Sequence, residues 1–153
     1  MKFEIPLPLQ REHEALHQRL RMATQADGEV GENARALARL MHPHFVKEDQ
    51  IALPPLGLLA ALATGDPTPE MAGVLALTDR LEAELSAMLA EHRAIVEALQ
   101  RLRDAAQRNA RDDIVEFAQQ LVQHARTEEE VMYPAAILVG RYLRLKLGSV
   151  PPP

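Results

Sequence analysis

Cysteine is missing from all 153 residues. Its absence excludes disulfides, thiolate zinc sites, cysteine-ligated iron–sulfur clusters and a cysteine nucleophile. Aromatic residues are scarce at 3%, and with β-branched residues also sparse there is little to write strands. An excess of positive charge is absent too: 17 Lys and Arg against 22 Asp and Glu give a formal charge of −5. That balance argues against a nucleic-acid partner held by electrostatics. The longest apolar run, 51–63, is interrupted by Pro54 and Pro55 and is too short to span a bilayer. The opening MKFEIPLPLQ has no apolar stretch of the secretory kind. A soluble, cytoplasmic protein is therefore expected, with no membrane partner.

What is present is helix composition: Ala, Leu, Glu, Gln and Arg dominate, and 47% of residues are hydrophobic against 25% charged. The length suits one domain, 1–150, followed by a Pro tail at 151–153. Four helical segments are expected. The first spans about Leu9 to Ala26 and ends before Asp27-Gly28. The second starts near Gly31-Glu32 and runs towards Ile51, kinked or reset at Pro43. Thr68-Pro69 has the form of a capped helix start for the third. The fourth runs from about Arg111 through Met132, with Pro134 bending or ending it.

The apolar stripes of these helices contain histidines. In the third, Val74, Leu77, Leu81, Leu85, Met88, Ile95, Leu99 and Leu102 keep helical spacing, and His92 occupies the step between Met88 and Ile95. The fourth reads Ile114, Phe117, Leu121, His124, Glu128, Val131, and the second Leu37, Leu40, His44, Glu48, Ile51. The first reads Leu9, His13, Leu16 or His17, Leu20. Each helix thus brings at least one imidazole to the core, and two bring a carboxylate one turn further on. The wet face of the latter two is marked by Lys47, Gln50, Arg126 and Thr127.

An internal repeat organises these positions. Glu12-His13-Glu14-Ala15-Leu16 resembles Glu91-His92-Arg93-Ala94-Ile95. His44-x-x-x-Glu48-Asp49 with Pro54 matches His124-x-x-x-Glu128-Glu129 with Pro134 at the same offset. The fold class is therefore all-α: two copies of a helical hairpin stacked as an up-down-up-down four-helix bundle, with 51–73 inserted between the copies. That insertion covers the mouth of a site or packs one subunit of a homodimer on another. His42, beside Pro43, is read as a surface or supporting residue, and Tyr133 and Phe45 as packing residues more than cavity lining.

Burying four imidazoles and two carboxylates together is costly without a compensating charge. Metal ions supply one. The candidate ligands are His13, His44, Glu48, His92, His124 and Glu128, with His17 as an additional candidate. Imidazole suits Fe, Zn, Cu and Ni, and carboxylates bridge pairs of ions. Two roughly six-coordinate irons offer about 12 positions; two bridging Glu, an oxo or hydroxo bridge and four His leave two of these open to a small ligand. Zn or Mn are alternatives to iron.

These motifs resemble the hemerythrin-like, or HHE cation-binding, domain family. The resemblance is carried by His13, His44-x-x-x-Glu48, His92, His124-x-x-x-Glu128 and the acidic doublets Glu48-Asp49 and Glu128-Glu129. It implies a bundle holding a non-haem di-iron centre that binds O2 or responds to NO, oxygen or iron. The chain departs from the oxygen carriers in having Met88 and Val96, not a second His, one turn either side of His92. Those carriers place a carboxylate five residues after the last His, where Glu129 stands; the stripe and the repeat select Glu128. The Cys-containing N-terminal domain of iron–sulfur repair members is not seen, which argues against repair.

Two other readings stand beside this one. A ferritin-like di-iron oxidase needs Glu-x-x-His on two helices, and only Glu14-x-x-His17 fits. An interaction module with a structural or mononuclear Zn would show closed coordination. A haem bundle leaves the two interior Glu unexplained. No evident nucleophile or general base remains beyond the candidate ligands, so a small-ligand-binding or sensing protein is expected more than a catalyst.

Overall fold

In a computed structural model, residues 1–148 are described, and no strand occurs among them. The tail at 151–153 lies outside the described residues. Helix α1 covers Leu7–Ala23 and α2 covers Gly28–Lys47. Gly28, at φ +63°, makes the turn between them, a conformation that costs a residue with a side chain more. Helix α2 passes through Pro43 without ending. A π-helical turn at Glu48–Ala52, a 3-10 turn at Pro54–Leu58, the short α3 at Leu59–Thr64 and a 3-10 turn at Pro69–Val74 lead to α4, Leu75–Arg108. Helix α5 covers Asp112–Thr127, a second π-helical turn Glu128–Met132, and α6 Tyr133–Leu147.

The two π-helical turns correct the simple stripe. Pro54 and Pro134 lack an N–H, and in an α-helix each ring would strike the carbonyl four residues back. Widening the turn avoids this: the N–H of Leu53 donates to the Glu48 carbonyl at 3.0 Å, and Tyr133 donates to that of Glu128. Pro134 therefore does not end the fourth helix, which continues to Leu147. The extra residue also shifts the register, turning Val131 outward (59% exposed) while Met132 is buried. Leu40 likewise sits at the surface, its inward place taken by Met41. Thr68-Pro69 starts a 3-10 turn, with α-helix only from Leu75.

The order of buried residues along each helix establishes the bundle. One apolar core contains Leu16, Leu20, Leu37, Met41, Ile95, Leu99, Phe117 and Leu121. Another contains Ile51, Leu53, Leu56, Leu81, Met88, Met132 and Tyr133, with Leu9 packed against it. Helices α1 and α4 run from the second core to the first, and α2 and α5 run back. The directions alternate, up-down-up-down. Between the two cores each of these four helices carries histidine: His13, His44, His92 and His124. Within the inserted segment Leu53 and Leu56 pack with α4 and α6, and Leu58 with Val139 and Leu143, while α3 buries no residue. Helices α4 and α6 meet closely at Gly140, where a Cβ would collide with the Thr78 hydroxyl.

Candidate metal centre

Each Glu that opens a π-helical turn lies one turn after a His, so spacing of four places both on the inward face. His44 Nε2 is 3.1 Å from Glu48 Oε1, and His124 Nε2 is 2.6 Å from Glu128 Oε1. Helices α1 and α4 add single rings, His13 and His92. His13, His44, Glu48, His92, His124 and Glu128 are all at most 5% exposed. Their donor atoms form two groups: His44, Glu48, His92 and Glu128, and His13, His124 and Glu128, the atoms of each lying within 4.8 Å of one another. Glu128 belongs to both. Its Oε1 faces His13 at 3.3 Å and its Oε2 faces His92 at 3.2 Å. Glu48 spans the groups in the same way, Oε1 towards His44 and Oε2 towards His13 at 3.7 Å.

The other ring nitrogens point outward to acids. His44 Nδ1 donates to Glu91 at 2.6 Å, His124 Nδ1 to Glu12 at 2.8 Å and His92 Nδ1 to Glu129 at 2.9 Å. Asp49 Oδ1 stands 3.4 Å from His13 Nδ1 without hydrogen-bond geometry. The pattern follows the repeat: Glu12 and Glu91 precede the lone His of each copy, and Asp49 and Glu129 follow each buried Glu. The repeat displays these acids in the sequence, but their partners lie on other helices, so spacing assigns them no role. Lys47 adds an ion pair to Glu91 at 2.6 Å.

This arrangement fits cations. An ionised carboxylate only accepts, so those Nδ1 atoms carry the hydrogen and each neutral ring turns the lone pair of Nε2 inward. His44 Nε2 then faces His92 Nε2 at 2.8 Å, and His124 Nε2 faces His13 Nε2 at 3.2 Å. Lone pairs so close repel unless a positive charge lies among them. Protons serve in the metal-free protein. Burial lowers the basicity of His92, yet hydrogen bonds to Glu128 and Glu48 outweigh it and raise its pKa to about 10. Burial likewise opposes the Glu128 hydrogen bond at His124, which prevails at about 9. His13 and His44 are raised despite burial by hydrogen bonds to Glu128 and Glu48 respectively. Burial disfavours the Glu128 anion, but its contacts with His124, His13 and His92 hold the carboxyl well below the usual range. Glu48 Oε2 is buried with no hydrogen-bond partner, an unmet acceptor that a cation would satisfy.

The remaining expected residues separate. His17 is half-buried, packs at a tilt on Phe45 with ring centroids 4.0 Å apart and lies outside both donor groups. Burial and the nearby His13 lower its pKa. His42 is exposed and Glu14 is exposed. Phe45 packs, against His17 and His13. Tyr133 does more than pack: its hydroxyl donates to Glu48 and lies 3.2 Å from His92 Nε2 and 3.5 Å from His44 Nε2. Burial and the charges of Glu48 and Glu128 push its ionisation upward. The repeat gives no signal for Tyr133, because the matching position holds Leu53.

Among the described residues, no helix is long and apolar enough to cross a membrane. No curated protein and no solved structure matches the chain. A model of the hemerythrin HHE cation binding domain matches residues 8–136. That span includes both hairpins and the whole histidine–glutamate layer, in agreement with the resemblance carried by the motifs. The buried layer is able to hold metal, and the chain belongs to the hemerythrin HHE cation-binding domain family.

Proposed function

We propose that the protein holds two iron ions and binds or senses a small diatomic ligand, O2 or NO. His44 and His92 would hold one ion and His13 and His124 the other, with Glu48 and Glu128 shared. The observation that carries this reading is the pairing of the Nε2 atoms, 2.8 and 3.2 Å apart, with two carboxylates spanning both pairs. One closed tetrahedral zinc would use four donors and leave buried groups unpaired here. The ferritin-like pattern is disfavoured, because Glu14 is exposed and His17 stands apart.

Iron held by nitrogen and oxygen donors supplies a redox-active Lewis acid for small ligands. The chain's own contribution is to fix the rings through outer carboxylates and to exclude bulk water with apolar cores on either side. A cleft of about 750 Å3, lined by His13, His17, Asp49, Pro54 and the N-terminal segment, reaches the site from outside. Access is thus on the His13 side. Metal analysis of the purified protein should find two irons per chain, with ferric charge-transfer absorption in the visible. Replacing Glu48 or Glu128 by Ala should lower the content below one metal per chain. Retention of two metals in both variants, or a colourless zinc protein, would overturn the reading.

A further inference from the structure

We propose that the Tyr133 hydroxyl is a ligand to the ion held by His44 and His92, making the two halves of the centre unequal and directing small molecules to the ion held by His13 and His124. The assignment rests on the dinuclear reading above. Neighbouring ligands about 2.1 Å from one ion stand about 3 Å apart in an octahedral shell. Tyr133 Oη meets that spacing on two sides, 3.2 Å from His92 Nε2 and 3.5 Å from His44 Nε2, and touches Glu48 Oε1 on a third. The two ring nitrogens are themselves 2.8 Å apart. Four donors from four different helical segments thus converge on one point. When the oxygen coordinates, the O–Tyr133 proton leaves to solvent and the phenolate oxygen donates its electron pair.

The opposite half has no counterpart. Leu53, five residues after Glu48 as Tyr133 is five after Glu128, is wholly buried and offers no donor. The clefts are unequal in the same sense. The large one touches His13 and Asp49. A smaller cleft of about 360 Å3 borders Tyr133 with Leu85, Glu129, Pro134 and Ile137, and none of the six inner His and Glu donors lines it. The start of α6 therefore seals one ion, and the N-terminal cleft exposes the other.

Full-length protein loaded with iron and oxidised in air is the sample. Resonance Raman excitation in the visible band should enhance the ring vibrations of a coordinated phenolate. Tyr133→Phe should retain two irons and lose both the phenolate modes and the matching absorption. Azide titration should saturate at one anion per chain in the wild type and two in Tyr133→Phe. Two irons in the wild type without phenolate modes would overturn the tyrosine assignment while leaving the dinuclear reading standing. Failure of the wild type to take up two irons would overturn that reading and this assignment with it. The wild-type spectrum decides the matter even if the variant folds poorly.

Discussion

At the scale of single residues, the acids outside the ring nitrogens matter as much as the donors inside. Glu91 and Glu12 hold the rings of His44 and His124 in one tautomer and one orientation. Removing such a partner costs metal sites about 10–100-fold in affinity. Glu91→Gln and Glu12→Gln should each weaken metal binding by a factor in that range, measured by competition with a chelator, while leaving two metals bound at saturation. Unchanged affinity in both would show that the outer carboxylates are spectators.

Protonation gives a second test at this scale. Metal binding needs neutral imidazole, and in the metal-free protein His92 and His124 titrate at about 10 and about 9. At neutral pH metal uptake should release at least two protons per chain, and apparent affinity should rise with pH up to that range. Calorimetric titration in buffers of different ionisation heat counts the protons. For the metal-free fold the sign is opposite. Both pKa values are raised, so the stability from these pairs is complete below the ordinary histidine value of about 6.5 and is lost as pH passes about 9 and about 10. The urea midpoint of metal-free protein should therefore fall in alkaline buffer.

At the scale of elements, the π-helical turns do the positioning. Each starts on a buried Glu and is followed by Pro54 or Pro134. Such turns recur at functional sites because the added residue re-aims the rest of the helix. Deleting the exposed Val131 would restore α-helical spacing and rotate α6 by about 100°. Tyr133, Ala136, Val139 and Leu143 would then leave the core they fill. Each large apolar side chain contributes about 1.5–3 kcal/mol when buried, so the loss approaches the whole stability of a domain, about 5–15 kcal/mol. No cooperative thermal transition should remain by circular dichroism. A cooperative melt near that of the wild type would show that α6 tolerates either register.

At the scale of the whole molecule, the histidine–glutamate layer lies between two apolar cores and joins four helices. Ions bound there tie all four together and stabilise the folded state over the unfolded one. Ligand at 100 times its dissociation constant contributes about 2.7 kcal/mol. A shift of about 2–4 °C per kcal/mol in chains of this size means that chelation should lower Tm by roughly 5–10 °C. Differential scanning calorimetry of loaded and chelated protein measures this. Equal Tm values would mean that the bundle is already complete without metal.

The linear order of residues is enough to establish the helices, their alternating directions and six of the inward polar residues. It suffices because helical spacing is local: His44 to Glu48 and His124 to Glu128 are each one turn, and the repeat sets both hairpins alike. The same spacing fails at Val131 and Leu40, since a proline-widened turn and the choice between adjacent residues depend on what packs alongside. Packing in three dimensions settles which rings face each other, which acid serves which ring, and that Tyr133 enters the layer. Glu91 and His44 are 47 positions apart, and Glu12 and His124 are 112 apart. No periodicity reaches across those distances. Only the packing of α1 and α4 between α2 and α5 brings such pairs within hydrogen-bond range, so the unequal halves of the centre emerge from the folded bundle and not from the two nearly equal repeats.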